Sequence, residues 1–336
     1  MGPVKRVRDP IYGYIEIDAE WFDLYIDQPG FQRLRRIVQT SYGPLYPSAL
    51  HNRFVHSLGV YHLGCRAAAA LTKEVEARFR EDSKVLAAWS DAVETFKLAC
   101  LLHDFGHSPF SHSGEIFYEF YEPTCDEGES TVDKPASLQD ELIRLIDDDE
   151  AFADDVVPGA APHEIMSAIL AIKEGLVATN KSLFARCIVG YKYTEQSESG
   201  LPDGLENVLI EMLHSDTIDV DRLDYLIRDA YVVGFDSISI DYVRLLDGLR
   251  IVRLFGIEPE NACYVVAFDK SAMSVLENVV YARDNEKKWI QAHPVVLYDQ
   301  MLVQHAIRKV RDSLRDPSHP PLFSRLPLTE RGAELA

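Results

Sequence analysis

Lys97-Leu98-Ala99-Cys100-Leu101-Leu102-His103-Asp104-Phe105-Gly106-His107 sets an imidazole and a carboxylate side by side at the end of an apolar run. The run predicts a helix that delivers His103 and Asp104 at its C-terminal edge, with Gly106 as a stop. Neutral imidazole nitrogen and carboxylate oxygen both ligate divalent metals. Two such groups cannot hold an ion alone, and by themselves they equally describe a polar helix end. Partners must come from elsewhere. His56, in Asn52-Arg53-Phe54-Val55-His56-Ser57-Leu58-Gly59-Val60, falls on a second predicted helix. Asp221, in Asp219-Val220-Asp221-Arg222-Leu223-Asp224-Tyr225, opens a third. Alone, His56 reads as a structural histidine and Asp221 as an N-terminal cap favoured by the helix dipole. Taken in order they form H…HD…D, a set of two imidazoles and two carboxylates. That mixed N/O set suits Mn, Fe, Zn or, less well, Mg, and leaves positions for water and a phosphate oxygen.

The chain has 336 residues, 47% of them hydrophobic, which is enough for a large core. A net charge of -20 argues against broad attraction to long nucleic acid or anionic lipid. A small anionic substrate remains compatible, because a metal and a few arginines reverse the field locally. The five cysteines are widely spaced without a C-x-x-C pair, and no apolar run approaches a membrane span. These features predict a reducing, cytoplasmic setting and no membrane partner.

Helical periodicity dominates, so the expected fold class is mainly α. Residues 9–18 alternate around a Gly turn and predict a short N-terminal strand pair. Helices are expected over 30–39, 52–80, 91–104 (with Asp91 and Glu94 in capping-box spacing), 164–173 and 205–231. A small β-hairpin is expected within 248–268, and a last helix from Pro294 to about 314. The Pro/Ser/Asp/Glu-rich stretch 122–140 reads as an exposed insertion in a single domain over 1–315, with 316–336 as a loose tail.

The ordered motifs resemble the HD-domain phosphohydrolase superfamily, and more closely its deoxynucleoside triphosphate triphosphohydrolase branch. D-P-I-Y-G-Y-I-E-I near the start is similar to that family's D-P-I-H-G-H-I-E-L. Residues 27–39 resemble D-T-P-Q-F-Q-R-L-R-Y-I-K-Q, while 51–60, 101–112 and 219–229 stand close to the family's corresponding runs. The resemblance spans roughly residues 5–310. It implies an HD-domain helical fold, His56, His103, Asp104 and Asp221 as metal ligands, and a nucleotide substrate. The implied reaction is metal-activated water attack at the α-phosphate, releasing nucleoside and tripolyphosphate. It assigns His107, His112 and His163 to proton donation and phosphate contact. Gln39, Arg53, Arg222, Tyr225 and Asp229 are assigned to phosphate and sugar.

Two positions depart from the family. Thr40 replaces a leucine, and Gln291, aligned through His293, replaces a tyrosine. The family's side chains there crowd the sugar 2′ edge, whereas both residues here can donate hydrogen bonds. Asp27, Gln32 and Arg35 match residues that bind an activating guanine nucleotide, and the resemblance also implies a homo-oligomer. Other readings are a nucleotidase or 3′-end nuclease of the same superfamily, or a non-catalytic nucleotide sensor.

Overall fold

The structure, a computed structural model, describes residues 2–40, 45–120, 137–194, 197, 199–235, 239–254 and 263–315. It is mainly α, with two small antiparallel strand pairs. The first pair is β1 (Val4–Asp9) and β2 (Gly13–Asp18), in register from Val4 opposite Asp18 to Asp9 opposite Gly13. The short helices α1 (Ala19–Trp21) and α2 (Pro29–Gln32) follow. Two long helices come next, α3 (Arg53–Arg78) and α4 (Ser83–Leu102). Beyond them lie α5 (Leu138–Leu145), α6 (Pro162–Lys173), α7 (Lys181–Val189), α8 (Leu205–Leu213) and α9 (Val220–Val233). Then α10 (Tyr242–Asp247) leads into the hairpin β3 (Leu249–Leu254) and β4 (Cys263–Phe268). The helices α11 (Met273–Glu286) and α12 (Pro294–Arg315) close the described chain.

The first half of α3 is buried on nearly every side, as expected of a helix at the centre of a core. It packs on α4, α9 and β3, while α4 packs on α7 and α8. α3 and α4 approach closely at Gly64, where a Cβ would fall 2.6 Å from Cys100 Sγ. This close pairing brings His56 on α3 next to the end of α4, and α9 closes the third side. Asn52 caps α3 by accepting from Val55 N at 3.2 Å, which fixes where Arg53 and His56 point.

Several expected boundaries move. The segment 30–39 is not one helix: α2 gives way to a 3-10 turn, Arg33–Arg36, and then to extended chain. There Arg53 N donates to Ile37 O and Gln39 N to His51 O, each at 2.9 Å, so tertiary pairing overrides the helical spacing. α4 begins at Ser83, capped by Asp82, so Asp91 and Glu94 are mid-helix rather than a capping box. The stretch 205–231 breaks into α8 and α9, because His214 is extended and Asp219 caps the second helix. The N-terminal pair starts five residues earlier than the alternation from Asp9 suggested, at Val4. Most of the expected insertion 122–140, and the whole tail 316–336, lie outside the described residues; Ser137 caps α5.

Candidate metal centre and its cavity

His56, His103, Asp104 and Asp221 meet where α3, the end of α4 and the start of α9 converge. The Nε2 atoms of His56 and His103 are 3.3 Å apart. Asp221 Oδ1 lies 2.9 Å from His56 Nε2 and 3.6 Å from His103 Nε2. Asp104 Oδ2 lies 3.8 Å from the first and 3.7 Å from the second. Asp104 is buried, whereas the Asp221 side chain keeps 39% of its surface and forms the open edge. Asp219, not Asp221, caps α9, accepting from Arg222 N at 2.6 Å, so the Asp221 carboxylate is released to face the imidazoles.

The other ring nitrogens are committed. His103 Nδ1 donates to Cys100 O at 3.0 Å, and His56 Nδ1 donates to Asp224 Oδ2 at 2.7 Å. Both inward Nε2 atoms are then lone-pair acceptors, a pairing that repels unless a cation or proton lies between them. The donor set therefore fits a divalent ion. In the bare chain, burial lowers the pKa of His56, but hydrogen bonds to Asp221 and Asp224 outweigh it and lift the value to about 10. A proton stands in for the ion's charge.

Asp224 was not singled out by the sequence. Its Oδ1 accepts from Tyr12 Oη at 2.7 Å and Arg228 Nη2 at 2.9 Å, and Arg228 also reaches Asp9 Oδ2 at 2.9 Å. The N-terminal hairpin thereby braces the imidazole of α3. Burial penalises the Asp224 carboxylate, but Arg228 and His56 outweigh that and hold its pKa well below the usual range.

Arg53 Nη1 donates to both oxygens of Asp104, at 2.9 and 2.7 Å, and its Nη2 reaches Ser111 Oγ at 2.6 Å and His112 Nε2 at 3.2 Å. This links the metal centre to a second cluster: His107, His112, Glu115 and His163. Glu115 Oε1 accepts from His112 Nδ1 at 2.9 Å and from His163 Nδ1 at 2.7 Å. Burial raises the Glu115 pKa, yet these bonds hold it down to about 2. His107 stacks on His163 with centroids 4.3 Å apart, and neither of its buried ring nitrogens has a partner among the described residues. The loop that aims His112 passes through Phe110 and Ser111 at φ 67° and 54°, left-handed conformations that cost about 1 kcal/mol or more each and mark a constrained segment.

Arg222, Tyr225, Arg283, Glu286, Lys287 and Gln291 line a cavity of about 430 Å³. A smaller cavity of about 70 Å³ adjoins the centre, lined by His103, His163, Asp221, Arg222 and His214 among others. Arg222 borders both; its Nη1 is held by Ser215 O at 3.0 Å and Thr217 O at 2.9 Å. Asp229 is buried behind Glu286. Gln39 and Thr40 hold buried side-chain oxygens without hydrogen-bond partners among the described residues. Gln32 Oε1 accepts from Arg35 Nε at 2.7 Å, whereas Asp27 lies 3.9 Å from Lys5 on the hairpin. The residues missed in the sequence are Asp9, Tyr12, Asp224 and Arg228 around His56, together with Glu115, His214 and Glu286. Only Glu115, three after His112, and Arg228, four after Asp224, carried a helical-spacing signal.

A family profile of the HD domain matches residues 53–199, and the chain is similar to the HD-domain phosphohydrolase superfamily. The chain is 30% identical over 311 residues to the human deoxynucleoside triphosphate triphosphohydrolase SAMHD1, covering 92% of this chain and 45% of that protein. It is 27% identical to the uncharacterized protein MG461 of Mycoplasma genitalium, over 82% of this chain and 53% of that one. A crystal structure of a hypothetical protein from Aquifex aeolicus superposes with a TM-score of 0.60 at 27% identity, covering 92% of this chain and 66% of that one. The chain spans about half the length of the curated relatives it matches. Among the described residues no helix is long and apolar enough to cross a membrane.

Proposed function

We propose that this chain is a metal-dependent nucleoside triphosphate hydrolase that releases nucleoside and intact tripolyphosphate. The observation that carries the reading is the pair of inward Nε2 atoms, 3.3 Å apart between two carboxylates, at the edge of a cavity bearing Arg222. A divalent ion held by His56, His103, Asp104 and Asp221 would acidify water and polarise a phosphoryl oxygen. Arg53 and Arg222 supply cationic donors for the polyphosphate. In this reading His112, oriented by Glu115, protonates the leaving 5′ oxygen, and His107 and His163 contact the phosphates. Burial and Arg53 depress the His112 pKa in the free chain, although Glu115 opposes them. A bound polyanion that drew Arg53 away would remove one of the influences that keep the proton off. Gln39, Thr40, Tyr225, Asp229 and Gln291 belong to the nucleoside side of this reading. An activating guanine nucleotide at Asp27, Gln32 and Arg35, a homo-oligomer and a cytoplasmic setting rest on the resemblance and composition alone.

The test is incubation of the manganese-loaded protein with single nucleoside triphosphates, products being resolved by ion exchange. Tripolyphosphate with free nucleoside is expected; a nucleoside monophosphate with pyrophosphate, or no turnover, would refute the reading. His112→Gln and Glu115→Gln are expected to lower kcat by about 10²–10⁴ with bound metal unchanged.

A further inference from the structure

The turn that follows His103 and Asp104 is gripped by side chains from three separate segments. Phe105, Gly106 and His107 lie past the end of α4 and are buried, so their backbone groups must pair within the chain. Phe105 N and His107 N donate to Leu102 O and Asp104 O, both at 2.9 Å. Arg33, which opens the 3-10 turn Arg33–Arg36, donates from Nη2 to Phe105 O at 2.8 Å and from Nη1 to His107 O at 2.7 Å. Between them, Tyr118 Oη donates to Gly106 O at 2.6 Å. Gly106 N donates to Ser167 Oγ on α6 at 2.9 Å, and that hydroxyl donates in turn to His163 O at 2.8 Å. The packing leaves little slack. A Cβ on Gly106 would fall 2.4 Å from Ser167 N, and one on Gly30, in α2, 2.6 Å from the Phe105 ring. The His107 ring has no tether of its own, because neither of its nitrogens has a hydrogen-bond partner among the described residues. Its stack on His163, with centroids 4.3 Å apart and planes at 26°, is therefore set by where the backbone puts it.

We propose that Arg33 is a positioning residue, whose guanidinium fork fixes the turn Phe105–His107 so that the His107 imidazole lies against His163. The catalytic consequence rests on the reading above, in which both rings contact the phosphates. A guanidinium offers planar donors at a fixed spacing and can bridge carbonyls two residues apart, whereas the single ammonium of a lysine is a point donor. Removing the fork strands two buried carbonyl oxygens. Buried acceptors are costly to leave unpaired, so the turn must open to find other donors. Opening carries His107 away from His163. His103 and Asp104 keep their own anchors, Cys100 O and Arg53, so the metal ligands stay in place. A displacement of about 1 Å at a group that contacts the reacting phosphates costs up to about 10²-fold in turnover.

The experiment is a double-mutant cycle on the manganese-loaded full chain, with ATP and dATP as substrates. Arg33→Leu is expected to lower kcat by about 10–100-fold with bound manganese within about twofold of the parent, and Arg33→Lys to lose less. In a His107→Gln background, where the positioned ring is already gone, Arg33→Leu is expected to cost less than about threefold. Histidine-ring proton resonances of the magnesium-loaded chain, assigned through His107→Gln, are expected to show the stacked pair displaced in Arg33→Leu. Circular dichroism establishes that each variant is folded; if Arg33→Leu does not fold, Arg33→Lys carries the same cycle. An equal loss of kcat in both backgrounds, or His107 resonances unmoved in the folded variant, overturns the inference. Should neither nucleotide yield tripolyphosphate, the hydrolase reading fails instead, and the ring resonances still decide whether Arg33 places His107.

Discussion

Gly59, one turn after His56, lies so close to Asp224 that a Cβ there would fall 1.9 Å from its Oδ1 and 2.5 Å from Arg228 Nη2. The glycine makes room for the carboxylate that orients the imidazole. Gly59→Ala is therefore expected to displace Asp224 and free the His56 ring. Overpacking of this kind costs about 1–3 kcal/mol. Urea denaturation would read that loss, and manganese titration should show affinity reduced by at least about tenfold. Retained affinity would show that Asp224 does not set the ring.

Asp224→Asn separates charge from shape. The amide fills the same space but no longer neutralises Arg228, which is 2% exposed. A buried cation left without its partner costs about 3–5 kcal/mol, less where Asp9 still pairs with it. Loss of a ligand's orienting carboxylate lowers metal affinity by about 10–100-fold. Metal content by plasma emission and melting by circular dichroism should fall together, and a variant that keeps its full metal load would contradict the assignment.

His214, in the wall of the small cavity beside the metal centre, supplies a pH-dependent contribution through Glu164. Burial lowers its pKa, but the Glu164 carboxylate 3.3 Å away outweighs this and raises it to about 8, from an ordinary 6.5. With the folded value the higher, the stabilisation is complete below pH 6.5 and fades as pH rises through 8. The side chain is 35% exposed, so solvent screening keeps the effect to about 1 kcal/mol or less. His214→Gln should lower Tm more at pH 6 than at pH 9; an equal drop at both would mean that the ion pair contributes nothing.

The ligand set was legible because each member stands in a run whose local structure is strongly determined. The apolar α4 ends at His103, and Asn52 announces the start of α3. The reading failed where long-range partners decide. Residues 37–39 carry a helical spacing, yet they are extended because they pair with 51–53. Asp224 was passed over because the D-V-D-R-L-D run offers several acids, and only the fold shows which one Tyr12 and Arg228 select. Glu286 gave no signal: one acid among Arg283, Asp284, Lys287 and Lys288 looks like solvated surface until Asp229 is seen against it. The α8–α9 break was written in Ser215-Asp216-Thr217, turn-forming residues masked by apolar spacing on either side.

The latch formed by Asp9 and Tyr12 lies well upstream of the segment 53–199 that defines an HD domain, and Asp221 with Asp224 lies downstream of it. A fragment trimmed to the recognisable motif would keep its histidine pair and lose the supports that hold one of them still. In this chain the unit of metal chemistry is larger than the signature that betrays it.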